Sequence, residues 1–224
     1  MALSLFRILY VCNGNDARSA LAAACTQRLA GEIDGEVLWD ISSAGTHAID
    51  GVGLRDEATV AAEALTLDLS KHRATVLTPE RCDGPDLILA MSWDQISHIW
   101  SLVPQAWDKV FTMKEFIHWA KRAPVRPPIL FSDRVEQMRD KIIQAHAARK
   151  RARADYGFWG GIRPQDLNLI EPNGKGDEAW QALGQAVQAL VSDVLTLLLA
   201  TGHGRRAEAH TGRSKKRKPA RSRR

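Results

Sequence analysis

LFRILYVCNGNDARSALAAACTQRLAG, residues 5–31, changes character twice within 27 positions. Residues 5–11 form a short apolar run, the pattern of a β-strand buried on both faces. The turn CNGND follows directly. From Arg18 the chain becomes rich in Ala and Leu, which favours a helix, and Gly31 is placed to end it. Strand, short Gly-bearing loop and helix in that order make the first half of a parallel crossover unit.

Working outward, the rest of the chain repeats the alternation. Residues 37–43 (VLWDISS), 86–91 (DLILAM) and 108–113 (DKVFTM) read as three more strands. Residues 56–67, with Val60, Ala64 and Leu67 on one face, and residues 93–102 read as helices between them. A last helix over 177–200 carries Trp180, Leu183, Val187, Leu190, Val194 and Leu198 at spacings of three and four, a stripe that packs on the sheet. The expected fold is α/β, a four-stranded parallel, doubly wound (Rossmann-like) sheet with helices on both faces. Residues 121–165 exceed what that scheme needs. They start with the breaker run APVRPP, and Val135, Met138 and Ile142 mark a helix that ends in the basic run ARKRAR. They read as a helical insertion on flexible connections, a lid or partner-binding element, inside a domain spanning 1–203.

Composition agrees. The chain has 224 residues, 45% hydrophobic and 25% charged, enough for a core without metal or disulfide staples. Its three cysteines, Cys12, Cys25 and Cys82, form neither a Cys-x-x-Cys pair nor a Cys/His ligand cluster, so no metal site is expected and a reducing cytoplasm fits. The net charge of +5 is uneven. Residues 204–224 hold ten Lys/Arg against the single acid Glu208, leaving the body net negative. That tail, with almost nothing to bury, reads as a disordered, solubilising arm whose charge also suits nucleic acid or an anionic surface. No signal peptide or unbroken apolar run of membrane-spanning length is visible in the sequence.

The chemistry concentrates in the first turn. Cys12 ends the strand and Arg18 opens the helix, and a five-residue loop between them is short enough to wrap its backbone N–H groups around one tetrahedral oxyanion. The same donors and the helix N-terminus favour thiolate over thiol at Cys12. Arg18 offers a planar fork for two phosphate oxygens. Gly14 and Asn15 are residue types that tolerate positive φ, and Ser19 is placed to cap the helix or donate to the sulfur. Cys25 and Cys82 serve as internal controls, since Gly31 and Ile88 stand at the same offset from them.

With this loop, VCNGNDARS, the chain resembles the low-molecular-weight protein tyrosine phosphatases, whose signature runs V-C-x-G-N-x-C-R-S. SSAGT (42–46), KHRATVLT (71–78), DLILAMS (86–92) and the Glu171-Pro172 turn are similar to later family blocks, so the likeness covers most of residues 5–120 and 166–200. It implies a cofactor-free cysteine phosphatase acting on phosphate monoesters of proteins or small molecules, phosphotyrosine being the family default, through a phosphocysteine intermediate. It assigns the nucleophile to Cys12, phosphate binding to Arg18 and to Asn13, Gly14, Asn15, Asp16, Ala17 and Ser19, and a hydrogen-bonded support of the loop to Asn15, Ser43 and His72. The acid falls on Glu171, where the family has Asp-Pro, with Asp166 and Asp177 as nearby substitutes. Ala17 replaces a second loop cysteine, which removes reversible disulfide protection. Asp16 adds a negative charge to the cradle wall, and Asn13 and Asn173-Gly174 stand where the family offers apolar or aromatic walls. Two alternatives stay open: arsenate reduction with an external thiol, and a catalytically degenerate phosphate-binding module.

Overall fold

Strand β1 (Ser4–Cys12) runs between two neighbouring strands, the place for an apolar run with no solvent face. A computed structural model of the chain describes residues 4–33, 35, 37–123 and 133–200. After β1 come α1 (Arg18–Gly31), β2 (Val37–Gly45), α2 (Asp56–Ala64), α3 (Pro79–Asp83), β3 (Leu87–Ala90), α4 (Trp93–Leu102), β4 (Val110–Thr112), α5 (Met113–Arg122), α6 (Arg134–Tyr156) and α7 (Gly176–Leu199). The strands are all parallel in the order β2-β1-β3-β4, the sheet that the alternation predicts. From β1 the chain steps to β2 on one side, then crosses to β3 and β4 on the other. The crevice where strand order reverses therefore lies at the carboxyl end of β1, where open α/β sheets bind ligands. Loop 13–17 starts there.

Side-chain alternation divides the core. Phe6, Ile8, Tyr10 and Cys12 face the same side as Leu89 and Phe111, under α1, α2, α5, α6 and α7. Leu9, Val11, Ile88, Ala90 and Val110 face the other, under Cys82 of α3 and Ile96 and Ile99 of α4. In α7 the apolar stripe is buried as expected, with Val191 inside and Leu190 only partly so. By length and composition α7 is apolar enough to cross a membrane, but that stripe is packed against the protein's own core. Gly184 lets α7 approach α2, since a Cβ there would stand 3.2 Å from both the Cβ and the carbonyl oxygen of Ala61.

Three local expectations need correction. Helix α2 stops at Ala64, because Thr66 takes φ 55° and the amides of Thr66 and Leu67 bond back to the Glu63 and Ala62 carbonyls, a left-handed cap that closes the helix early. Helix α5 was hidden behind the strand read over 108–113. Thr112 ends β4 and its side chain also accepts the Glu115 amide at 3.0 Å, so one residue both ends the strand and caps the helix. The insertion helix α6 is part of the core and does not stand apart from it as a lid: Val135, Met138, Ile142, Ala145 and Ala148 are buried in the cluster that holds α7. Its basic run is partly internal too. Arg149 is 1% exposed, lies 4.0 Å from the Phe111 ring and donates to the carbonyls of Val110 (2.7 Å) and Trp107 (2.5 Å). The basic segment 204–224, read as a disordered arm for nucleic acid or anionic surfaces, lies outside the described residues, as does APVRPP beyond Ala123.

His146 of α6 supplies a pH dependence. Partial burial, then the neighbouring Arg149, pushes its pKa from 6.5 down to about 4. Between those values the unfolded chain binds the proton and the folded one does not, so stability present above pH 6.5 is lost as pH falls towards 4. Burial pushes the Glu115 carboxyl up, which works in the opposite sense. Comparing wild type with His146→Gln therefore isolates the histidine. Urea midpoints at pH 7 and pH 4.5 are expected to fall less in the variant; equal falls would exclude His146 as a source of acid lability.

Candidate active site

Loop 13–17 is held by its carbonyls. Those of Cys12 and Asn13 accept the amides of Thr46 (3.0 Å) and His47 (2.9 Å), those of Asp16 and Ala17 accept the amides of Arg55 (3.0 Å) and Leu21 (2.9 Å), and that of Asn15 accepts His72 Nε2 at 2.6 Å. A trans peptide places each N–H opposite its own carbonyl. With those carbonyls fixed outward, the amides of residues 13, 14, 16, 17 and 18 turn inward, and the Asn15 amide donates to Cys12 Sγ at 3.2 Å. Gly45 makes room for this, because a Cβ there would lie 2.5 Å from the Asn13 carbonyl oxygen and 2.8 Å from the Asn15 nitrogen. The glycine of SSAGT is thus a requirement of the loop it supports.

Asn15 carries the arrangement. It is fully buried at φ 55°, whereas Gly14 does not take positive φ. Its Nδ2 donates to Ser19 Oγ and to Ser43 Oγ, both at 2.9 Å, and its Oδ1 accepts the Thr75 amide at 2.8 Å. A carbonyl only accepts, so the His72 ring nitrogen facing Asn15 carries its proton there. Ser19 Oγ accepts from Asn15, which leaves its own proton for Cys12 Sγ at 3.0 Å in preference to the Ala44 carbonyl at 3.5 Å. Ser19 therefore serves the sulfur and does not cap α1, whose N-cap is Ala17 without a side-chain bond. The loop, Ser43 and His72 are thus brought together around one buried thiol.

Arg18 is 8% exposed and points along the same cleft. Its Nη1 donates to the Leu169 carbonyl at 2.9 Å and its Nη2 meets Glu171 Oε2 at 2.7 Å. Its Nε is buried with no partner among the described residues, a donor of the kind an oxyanion satisfies. Glu171, 116 positions from Arg55, is bound to it as well, through Oε1 at 2.5 Å. Arg55 also binds Asp16 Oδ2 through Nε (3.0 Å) and Nη2 (2.7 Å). The charge that Asp16 brings to the cradle is therefore matched at its source, and Asp16 folds back towards Gly14, where a Cβ would meet its Oδ1 at 2.6 Å. Burial works against charge on Arg55, and the bond from Asp16 together with Glu171 more than offsets it, so its pKa is raised. Nothing in the local sequence around Arg55 marks it as part of the site.

The cleft, of about 640 Å³, has a polar rim that includes His47, Asp94, His98 and Asn173, and no Phe, Tyr or Trp is among the described residues lining it. Asn13 is engaged at the rim by His47 Nδ1 at 3.0 Å. Asp166 is paired with Arg163, and neither Asp166 nor Asp177 lines the cleft. Cys25 and Cys82 are buried free thiols whose pKa burial pushes up to about 11, which keeps both protonated and unreactive at neutral pH.

The chain is similar in sequence and fold to known proteins. The family model described as low molecular weight phosphotyrosine protein phosphatase matches residues 7–148, which include the loop, Ser43 and His72 and stop short of Glu171. A protein-arginine-phosphatase of Geobacillus stearothermophilus is 34% identical over 115 residues, 50% of this chain and 72% of that protein. The low molecular weight protein-tyrosine-phosphatase Ptp of Acinetobacter johnsonii is 33% identical over 112 residues, again 50% and 72%. Among solved structures, a low molecular weight protein tyrosine phosphatase from T. tengcongensis superposes with a TM-score of 0.58 at 23% identity, covering 85% of this chain and 97% of that one. A YwlE mutant from Bacillus subtilis gives 0.60 at 21%, covering 86% and 98%.

Proposed function

The chain belongs to the low molecular weight phosphotyrosine protein phosphatase family, and from that premise we propose that it hydrolyses phosphate monoesters on proteins through a phosphocysteine intermediate. The observation that carries the reading is the convergence on Cys12 Sγ of the Asn15 amide and the Ser19 hydroxyl, next to a cleft lined by Asn13, Gly14 and Arg18. Two donors meet one sulfur, and the inward amides with the Arg18 fork match the equatorial oxygens of a phosphoryl group. In the first step Cys12 Sγ attacks phosphorus and the ester P–O bond breaks; Glu171 Oε2, released when phosphate takes the Arg18 fork, takes up a proton from solvent or the substrate monoanion and passes it to the leaving oxygen. In the second, water attacks phosphorus, Glu171 takes the water proton and the P–S bond breaks, returning the thiolate to the Ser19 hydrogen bond. Three unpaired cysteines suit a reducing compartment such as the cytoplasm.

Glu171 is the acid in this reading because it reaches the Arg18 fork despite standing one methylene longer than Asp. Glu171→Gln is expected to lower kcat on a phosphotyrosine peptide about 10²-fold or more, and to act far less on p-nitrophenyl phosphate, whose leaving group departs without a proton. Steady-state rates on the two substrates check this, and equal losses would remove Glu171 from the acid role. The polar rim favours a second reading of the substrate. With no aromatic wall among the described residues and with Asp94 exposed at the mouth, it suits a phosphorylated guanidine, the substrate kind named for the Geobacillus stearothermophilus relative, as well as a phosphorylated phenol. The ratio of kcat/KM on phosphoarginine and phosphotyrosine peptides decides between them.

A further inference from the structure

Glu171 sits between two guanidiniums, Oε2 on Arg18 and Oε1 on Arg55. A substrate phosphate needs the Arg18 fork, so its arrival takes one of those two cations away from the carboxyl. What then keeps Glu171 at the cleft is Arg55. The same guanidinium binds Asp16 through two nitrogens and Asn173 Oδ1 through Nη1 at 3.1 Å, and lies 6.0 Å from the Trp180 ring. Its backbone amide holds the Asp16 carbonyl at 3.0 Å. One side chain thus ties the phosphate loop to the 171–173 turn, and only a planar fork with several donors has the shape to do both.

Resting on the phosphatase reading, we propose that Arg55 is a positioning residue with two separable roles: it cancels the charge of Asp16 beside the bound phosphate, and it retains Glu171 over the leaving group when phosphate displaces that carboxylate from Arg18. The first role acts on anion affinity and the second on leaving-group dependence, so different variants separate them. A lysine at position 55 keeps the charge and loses the fork.

The test uses the full chain as wild type, Arg55→Lys, Arg55→Ala, Asp16→Asn and the Asp16→Asn/Arg55→Ala double variant. The readouts are kcat and KM on p-nitrophenyl phosphate and phenyl phosphate, and inorganic phosphate binding by calorimetry. Arg55→Ala is expected to weaken phosphate binding about tenfold, as an uncompensated carboxylate beside an anion does. The double variant is expected to return it to within about threefold of wild type. The ratio of kcat on the two esters is expected to rise about tenfold in Arg55→Ala and to stay high in the double variant, since removing Asp16's charge does not reseat Glu171. Arg55→Lys is expected to keep phosphate affinity and raise the ratio. Parallel losses in every parameter without rescue by Asp16→Asn, or an Arg55→Ala variant like wild type, would overturn the proposal. Should Arg55→Ala fail to fold, Arg55→Lys against wild type still decides the second role and Asp16→Asn the first. A wild type inert on both esters would sink the phosphatase reading, while phosphate calorimetry on the same variants would still report the coupling of Arg55 to Asp16.

Discussion

Cys12→Ser is expected to lower turnover of every phosphate ester by about 10⁴-fold or more while the protein stays folded and still binds inorganic phosphate. The substitution changes one atom. Position 12 is 1% exposed and its backbone is fixed in the β1 ladder opposite Gly45, so the loop has no reason to move. A serine hydroxyl remains protonated at neutral pH, and the neighbours of the sulfur, the Asn15 amide and a Ser19 hydroxyl already accepting from Asn15, are donors and not bases. Nothing on that side of the cup removes a proton from oxygen. In the proposed reading phosphate binding rests instead on Arg18 and the inward amides, which the change leaves in place. Rates on p-nitrophenyl phosphate paired with phosphate calorimetry check this. A variant within tenfold of wild type would show that the nucleophile is not at position 12, and loss of phosphate binding alongside activity would show that the cup depends on sulfur for its shape.

What the sequence discloses and what it hides divide along chain distance. The strand, loop and first helix are legible because each depends on neighbours a few positions away: apolar run, Gly-Asn turn and Arg-Ser opening are contiguous. Ser43 and His72 came into view through family likeness, since their roles depend on Asn15, which lies 28 and 57 positions from them. Arg55 was invisible for the same reason. It joins partners 39 and 118 positions away, and locally it is one charged residue before a helix rich in charge. The basic run ARKRAR misled in the opposite sense, because four cations in six residues suggest a solvated face, whereas Arg149 turns inward to a carboxylate supplied by another helix. Thr112-x-x-Glu115 has the spacing of a capping box, and the threonine does cap, while the glutamate meets both the Thr112 backbone and that arginine.

That buried pair carries the largest stability effect expected outside the cleft. Glu115 is 3% exposed, with Arg149 at 3.6 Å and Arg153 at 3.7 Å, and Arg149 is itself 1% exposed. Burial pushes the Glu115 carboxyl up and, despite Glu115, pushes Arg149 down to about 10, so each charge depends on the other to remain inside. Glu115→Ala leaves Arg149 charged and internal, facing carbonyls, His146 Nδ1 and the Phe111 ring, a loss of about 3–5 kcal/mol for a broken buried pair. Arg149→Met is expected to cost less than Glu115→Ala, because Arg153 remains for the glutamate and a flexible apolar side chain fills part of the space. A Glu115→Leu/Arg149→Met double variant is expected to recover much of the loss, though not the Val110 and Trp107 carbonyls that Arg149 now satisfies. Urea unfolding of the three variants measures this, and a Glu115→Ala cost below about 1 kcal/mol would mean that apolar packing alone holds α6. The effect bears on the cleft through Lys114, the preceding residue in α5, whose ammonium holds the Asn168 carbonyl at 2.7 Å, one residue before the carbonyl that takes Arg18. Loosening the seat of α5 therefore loosens the turn that brings Glu171 to the phosphate cup, and folded Glu115→Ala protein is expected to lose leaving-group protonation before it loses phosphate binding.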